Sequence, residues 1–260
     1  MNLSLEQRKR WDQEGFVHLK HFFEDRQKLR EWTCDLLEWP ETSGKWTKYF
    51  ESDQADLSSS MLCRVENFLD YHQGWEGIAT DARLLRILEQ LFREPAVIFK
   101  EKLNFKLASG RGFAAHQDAP AFATFGQRFH ITAMISVDPT TEYNGCLEIA
   151  ARRHLEGIME MTEAQLLTEA VIEALEWKSI ETQSGDLVLF GSHLPHRSAA
   201  NQSLGPRRVA FLTYNALSQG AYRQAYYAKK REVFPPENER IEGRDYGNAQ
   251  SYNIGNPILS

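Results

Sequence analysis

Three features of these 260 residues imply a mainly β domain with flanking helices, its strands wound into a jelly roll. From Pro95 onward short β-type runs recur between turn residues: Ala96 to Leu107, Arg128 to Val137, Cys146 to Ala150, Lys178 to Glu181, Asp186 to Phe190 and Arg207 to Tyr214. Strands at that spacing are the mark of a sandwich or barrel. Before Pro95 the apolar residues recur at helical spacing instead, so helices precede the sheet and pack on its outside. The third feature is composition: 42% hydrophobic and 25% charged residues describe an ordinary soluble chain, and the length suffices for one such domain with a full core. The expected organisation is a single domain over 1–260, with a helical N-terminal part to about 94, a β core over about 95–217 and an extended tail over about 235–260.

Each element has its own signal. Ser4, with Gln7 three residues on, forms a capping box that opens a short helix, and Gly15 ends it. Gly15-Phe-Val-His-Leu-Lys-His21 then has strand character. Phe23 to Trp39 carries Leu29, Trp32, Leu36 and Leu37 at helical spacing and stops before Pro40. Residues 41–60 are polar and irregular, which predicts a long loop and a candidate lid. Asp81 to Phe92 places Leu84, Leu85, Leu88 and Leu91 on one helical face. Inside the β region one helix is expected at Thr162, where Gln165 completes a second capping box.

Charge and cysteine usage exclude several functions. A formal charge of −6 is wrong for an extended nucleic-acid or anionic-lipid footprint. Cys34, Cys63 and Cys146 are too scattered for a disulfide framework or a Cys-x-x-Cys metal site, which fits a reducing compartment. The N-terminus lacks the apolar region of a signal peptide, and no stretch approaches the length of a membrane span. The expectation is a cytoplasmic protein with a small-molecule partner.

The segment Gly110-Arg-Gly-Phe-Ala-Ala-His-Gln-Asp-Ala-Pro120 is the most informative. Residues two apart on a strand share a face, so the His116 imidazole and the Asp118 carboxylate converge on one point. Two histidines and one carboxylate on one face of an octahedral iron leave three positions open, which suits O₂ activation. A distant histidine must complete the set. Of His130, His154, His193 and His196, context favours His196, between the strand Gly185-Asp-Leu-Val-Leu-Phe190 and the strand opening at Arg207; His193 is its competitor. A cosubstrate with a free carboxylate needs a fixed bidentate cation, and Arg207 offers one at the start of an apolar strand. The neighbouring Arg208 reads as an ion-paired strand end.

At these residues the chain resembles the phytanoyl-CoA dioxygenase family, iron- and 2-oxoglutarate-dependent oxygenases built on a cupin-like double-stranded β-helix. The matching elements are His116-Gln-Asp118, Asn144-Gly-Cys-Leu-Glu148 with His154 following, Gly185-Asp-Leu187, His196-Arg-Ser-Ala-Ala-Asn201 and Arg207. The resemblance implies Fe(II) on His116, Asp118 and His196, 2-oxoglutarate on Arg207 with Ser198 in support, O₂ as oxidant, and hydroxylation, since halogenating relatives lose the carboxylate at the Asp118 position. The family's Pro-Gly-Ser-His stretch is replaced here by Ala150-Ala-Arg-Arg-His154. Within the family the likeness is nearer to bacterial 2-aminoethylphosphonate hydroxylases, carried by Arg64-Val-Glu-Asn67, Phe99-Lys-Glu-Lys-Leu-Asn-Phe-Lys106, Pro206-Arg-Arg-Val209, Thr213-Tyr-Asn215 and Tyr226-Tyr-Ala-Lys-Lys-Arg231.

Between Phe99 and Leu107 lysines and Asn104 alternate with apolar residues, so one face of the strand is polar. Turned inward, Lys102 and Asn104 would meet the 2-oxoglutarate carboxylates or a phosphonate; turned outward, Lys100 and Lys106 would face water. Arg64, Glu66, Asn67 and Lys106 are the candidate contacts of a substrate that carries both an amine and a phosphonate. Other small zwitterions, amino acids or acyl thioesters are alternative substrates. A redox-inactive cupin-type metalloenzyme or a noncatalytic binding protein are alternative classes.

Overall fold

The capping box forms as expected: Gln7 N donates to Ser4 Oγ at 3.1 Å and Ser4 N to the Gln7 side chain at 2.8 Å, which opens α1 (Leu5–Glu14). Gly15 ends it in the left-handed conformation and turns the chain into β1 (Phe16–Leu19). The computed structural model describes residues 1–52, 59–122, 125–244, 246, 252, 254 and 255. Asp25 caps α2 (Arg26–Glu38), whose Leu29, Thr33 and Leu36 are buried. Two strands follow, β2 (Thr47–Ser52) and β3 (Ser60–Glu66), then α3 (Gln73–Ala79) and α4 (Ala82–Phe92), the latter capped by Asp81 with Leu84, Ile87 and Leu88 inward.

The β region runs β4 (Ala96–Lys106), β5 (Phe113–His116), the single turn α5 (Ala119–Phe122), β6 (His130–Ser136), β7 (Leu147–Ile149), α6 (Glu169–Ala174), β8 (Lys178–Ile180), β9 (Leu187–Gly191), β10 (His196–Ser198) and β11 (Arg207–Ala216); α7 (Arg223–Val233) closes it. The strands build a seven-stranded sheet, β1-β9-β6-β11-β4-β3-β2, facing a four-stranded one, β5-β10-β7-β8, with every pairing antiparallel. This is the expected double-stranded β-helix.

Alternation along β11 shows how the layers are divided. Ala210, Leu212 and Tyr214 join α2, α3 and α4 in the larger apolar core on the outer face of the big sheet. Val209 and Phe211 point the other way, into a smaller core between the sheets with Phe16, Met134, Leu147, Ile149, Val188 and Phe190. Arg207 and Thr213 share that inner face.

Four expectations need correction. Within the supposed loop 41–60, β2 pairs with β3 along its length, because Tyr49 stacks on Phe234 and Lys48 Nζ reaches Leu37 O at 2.8 Å, contacts no local pattern announces. The remainder of the candidate lid, 53–58, lies outside the described residues. The stretch before 94 is not wholly helical, since it supplies β1, β2 and β3 to the large sheet. No helix starts at Thr162: Gln165 takes a positive φ of 59°, Met161 bridges Leu167, and the helix begins only at Glu169. The tail is not simply extended, because Ile254 is buried and Gly255 O accepts from Ala114 N at 3.0 Å, beside the His116 strand. The cysteines are free, and among the described residues no helix is long and apolar enough to cross a membrane.

Candidate active site

Strand pairing places the two candidate histidines opposite one another. His116 at the end of β5 and His196 at the start of β10 are register partners, with ring centroids 4.3 Å apart. Asp118 lies two residues beyond the end of β5, where the chain turns into α5, so it converges through that turn and not through alternation along one strand. Its carboxylate is 3.9 Å from His116 Nε2 and 4.0 Å from His196 Nε2, and the three donor atoms lie within 4.8 Å of one another. Gln117, between them, is fully buried and ties down the surrounding loops through Gly157 O, His193 O and Met159 N.

Both imidazoles are oriented by their other nitrogen. His116 Nδ1 donates to Ala114 O at 2.7 Å and His196 Nδ1 to Leu194 O at 3.0 Å, which leaves each Nε2 lone pair toward the shared point. Burial, then the adjacent His196, pushes the His116 pKa down to about 3; burial also lowers that of His196. Both rings are therefore neutral, the form that binds metal. Burial opposes the charge on Asp118, but His196, Lys102 and Lys100 hold its carboxyl below the usual range. Two neutral imidazoles and one carboxylate fit ferrous iron.

The cavity beside this triad is lined by Lys100, Lys102 and Asn104 of β4, Thr132 of β6, Arg207, Phe211 and Thr213 of β11, Ser198 and Arg197 of β10, and the rings of Phe113 and Phe190. The polar face of β4 thus turns inward, and Lys100 with it. Phe211 was not singled out from the sequence and Thr213 only as part of the resemblance, although they sit four and six residues after Arg207 and so share its face. Arg207 is buried, yet among the described residues its side chain has no hydrogen-bond or ion-pair partner, and Nε is fully enclosed. Burial pushes its pKa down to about 10, so it stays charged near neutrality. Arg208, by contrast, forms a bidentate pair with Asp138 at 2.7 and 2.8 Å.

The remaining candidates divide. Ser198 faces the cavity and accepts from Lys106 Nζ at 2.8 Å. Lys106 also contacts Gly145 O and Ala199 O, and burial, then Arg207, pushes its pKa down to about 6, so its amino group is engaged by the protein and positions Ser198. Gly145 has to be glycine: at its φ of 72°, a Cβ would stand 2.1 Å from Ala199 O. Arg64 is buried, donates to Asn104 Oδ1 at 3.0 Å and to Glu66 at 3.1 Å, and keeps one enclosed Nη2 without a partner. Glu66 also accepts from Lys230 Nζ at 2.6 Å, so it holds no free charge for a substrate amine. Asn67 is engaged away from the cavity by Lys45 O and Arg223. His130 bonds Gln127, His193 stacks on Phe129, and His154 packs against Gly15; none reaches the triad.

The model of the phytanoyl-CoA dioxygenase family matches residues 11–209. The chain belongs to that family. As a member it is an enzyme of the dioxygenase class, and its relatives narrow the comparison. It is 50% identical to 2-aminoethylphosphonate dioxygenase of uncultured bacterium HF130_AEPn_1 over 256 residues, 97% of each chain. It is 37% identical to methylphosphonate hydroxylase of Gimesia maris over 227 residues, 86% of this chain and 85% of that one. Among solved structures, EctD from S. alaskensis with 2-oxoglutarate and 5-hydroxyectoine superposes with a TM-score of 0.69 at 21% identity, over 84% of this chain and 77% of that one, a likeness of fold.

Proposed function

We propose that this enzyme is an Fe(II)- and 2-oxoglutarate-dependent hydroxylase of a small phosphonate, converting 2-aminoethylphosphonate to 2-amino-1-hydroxyethylphosphonate. The observation that carries the reading is Arg207: a buried guanidinium without a partner among the described residues, lining the same cavity as two histidines and a carboxylate. A buried cation that lacks a counterion is costly, and the cosubstrate's far carboxylate supplies one in bidentate geometry. A redox-inactive metalloenzyme would have no use for it.

His116, Asp118 and His196 hold the iron, and their carbonyl-bonded Nδ1 atoms keep the donor nitrogens aimed. Arg207 grips the cosubstrate, with the Ser198 hydroxyl beside it and Lys106 holding that hydroxyl in place. Asn104 has its amide oxygen taken by Arg64, so its NH₂ is what the cavity meets. Iron held there would supply, with 2-oxoglutarate and O₂, the oxidation that exchanges one substrate C–H for C–OH, with succinate and CO₂ as the co-products. The protein's share is to place one carbon near the metal and to exclude water with Phe113, Leu147, Phe190 and Phe211. The phosphonate assignment is supported by two relatives named for phosphonates, one of them alike over nearly the whole chain.

The test is succinate release scored against a panel of small phosphonates, amino acids and acyl thioesters. Stimulation by 2-aminoethylphosphonate above the substrate-free rate is expected; stimulation by another member alone would replace the substrate. Asp118→Ala should lose stoichiometric iron binding and substrate-coupled succinate together, and an active variant would end the iron assignment.

A further inference from the structure

We infer that Lys100 and Lys102 form the phosphonate subsite, separate from the cosubstrate subsite at Arg207; this rests on the function proposed above. Both ammonium groups line the cavity, and among the described residues neither has a hydrogen bond or an ion pair. Their contacts are aromatic: Lys100 Nζ lies 4.3 Å from the Phe122 ring centroid and 5.5 Å from that of Tyr226, and Lys102 Nζ lies 5.1 Å from that of Phe211. Ring faces attract an ammonium but do not neutralise it.

The strand register separates the two subsites. Lys100 stands opposite Thr213 and Lys102 opposite Phe211, whereas Arg207 stands opposite Lys106. Two residues on one face of a strand are about 7 Å apart, and the four-residue step from Lys102 to the Arg207 rung spans about 13 Å. One phosphonate oxygen can meet each lysine while the cosubstrate carboxylate occupies the far end. The Thr213/Tyr214 register shift skips Phe99, which packs with Phe122 and Tyr226, the two rings that Lys100 Nζ approaches.

Charge balance gives the ligand its class. Arg197 is neutralised by Glu148, and Glu66 is shared between Lys230 and Arg64. Among the cavity-lining side chains, Lys100, Lys102 and Arg207 then face the single carboxylate of Asp118 with no ion pair of their own, and burial lowers the pKa of both lysines, most of all Lys102, so an anion placed between them restores their charge. Ferrous iron and the 2-oxoglutarate dianion would cancel, so the two lysines are left for the substrate. A phosphonate group, with up to two negative charges, meets the two lysines better than a carboxylate with one, although the ammonium of 2-aminoethylphosphonate offsets one of those charges.

The test is calorimetric titration of the anoxic enzyme, loaded with Fe(II) and 2-oxoglutarate, with 2-aminoethylphosphonate and with methylphosphonate, alongside a separate titration of 2-oxoglutarate. Lys100→Met and Lys102→Met should each weaken binding of both phosphonates by about 10- to 100-fold, the scale of a lost charge-assisted hydrogen bond, and 2-oxoglutarate by less than about threefold. Lys100→Arg should recover part of the loss, and neither methionine variant should melt below wild type without ligands, because each removes an uncompensated cation. Equal phosphonate binding by wild type and both methionine variants overturns the subsite alone. Equal losses of phosphonate and 2-oxoglutarate also overturn it, by placing the lysines on the cosubstrate. A wild type that binds 2-oxoglutarate but neither phosphonate overturns the substrate assignment and the subsite with it.

Discussion

Arg207 shows how much one side chain reveals when it lacks a partner. Its neighbour Arg208 is closed off by Asp138, as a charged strand end should be, while Arg207 on the inner face has no such partner among the described residues. Arg207→Gln is expected to weaken 2-oxoglutarate about 100-fold, since two hydrogen bonds to a charged group are lost at roughly 1.5–3 kcal/mol each and part is recovered by the amide. The KM for 2-oxoglutarate, measured at saturating substrate, checks this; an unchanged value would move the cosubstrate elsewhere. His116, Asp118, His196 and Arg207 could be picked out of the sequence as candidates because their chemistry is unusual for their context, and the fold gathers them at one cavity. Lys100 was not, because alternation in β4 says that one face is polar without saying which face is inside. Asn67 and Lys106 were misplaced for a related reason: their polar atoms are consumed by Lys45 O, Arg223, Gly145 O and Ala199 O, all from other stretches of chain.

Among the elements, α7 does the most that no local pattern foretold. Its Arg223 chelates the buried Glu101 at 2.6 and 2.8 Å, and its Lys230 reaches Glu66, so two ion pairs clamp the helix to β3 and β4 next to the cavity. Burial raises the cost of the Glu66 charge, but Lys230 and Arg64 outweigh it and hold the pKa at about 2 against the usual 4.5. A carboxyl with a depressed folded-state pKa stabilises fully above its unfolded value. That contribution is lost as pH falls from about 4.5 toward 2, so acid melts should steepen in that window, and Glu66→Gln should flatten them. Lys230→Met, which removes one partner of a buried pair, is expected to cost about 3 kcal/mol in denaturant unfolding, with part returned in the Glu66→Gln/Lys230→Met double variant. Additive losses would show that the two residues are not coupled. The helices α1, α2 and α4 were readable from caps and periodicity, whereas β2 and β10 were not, being strands defined by their neighbours.

At the scale of the whole molecule, a cavity with uncompensated cations is a stability cost that ligands relieve. Saturating 2-oxoglutarate with Fe(II), at about 100 times its dissociation constant, should add about 2.7 kcal/mol by mass action, and chelation should reverse the gain. Thermal melts with and without chelator check it, and Arg207→Leu should abolish the 2-oxoglutarate increment while leaving the ligand-free protein at least as stable as wild type. A Tm indifferent to both ligands would contradict the site. The reading by pattern alone went as far as local chemistry goes: helix caps, the run of β segments, a His-x-Asp pair, a second histidine favoured over His193 by its context, and an arginine opening an apolar strand. Folding was needed to choose the inner face of β4, to bring His196 opposite His116 across 80 residues of chain, to supply strands from the polar stretch before α3, and to fold α7 and the tail back beside the site. Those outcomes depend on pairings between distant segments, and the free energy of such pairings resides in contacts that neither segment contains by itself.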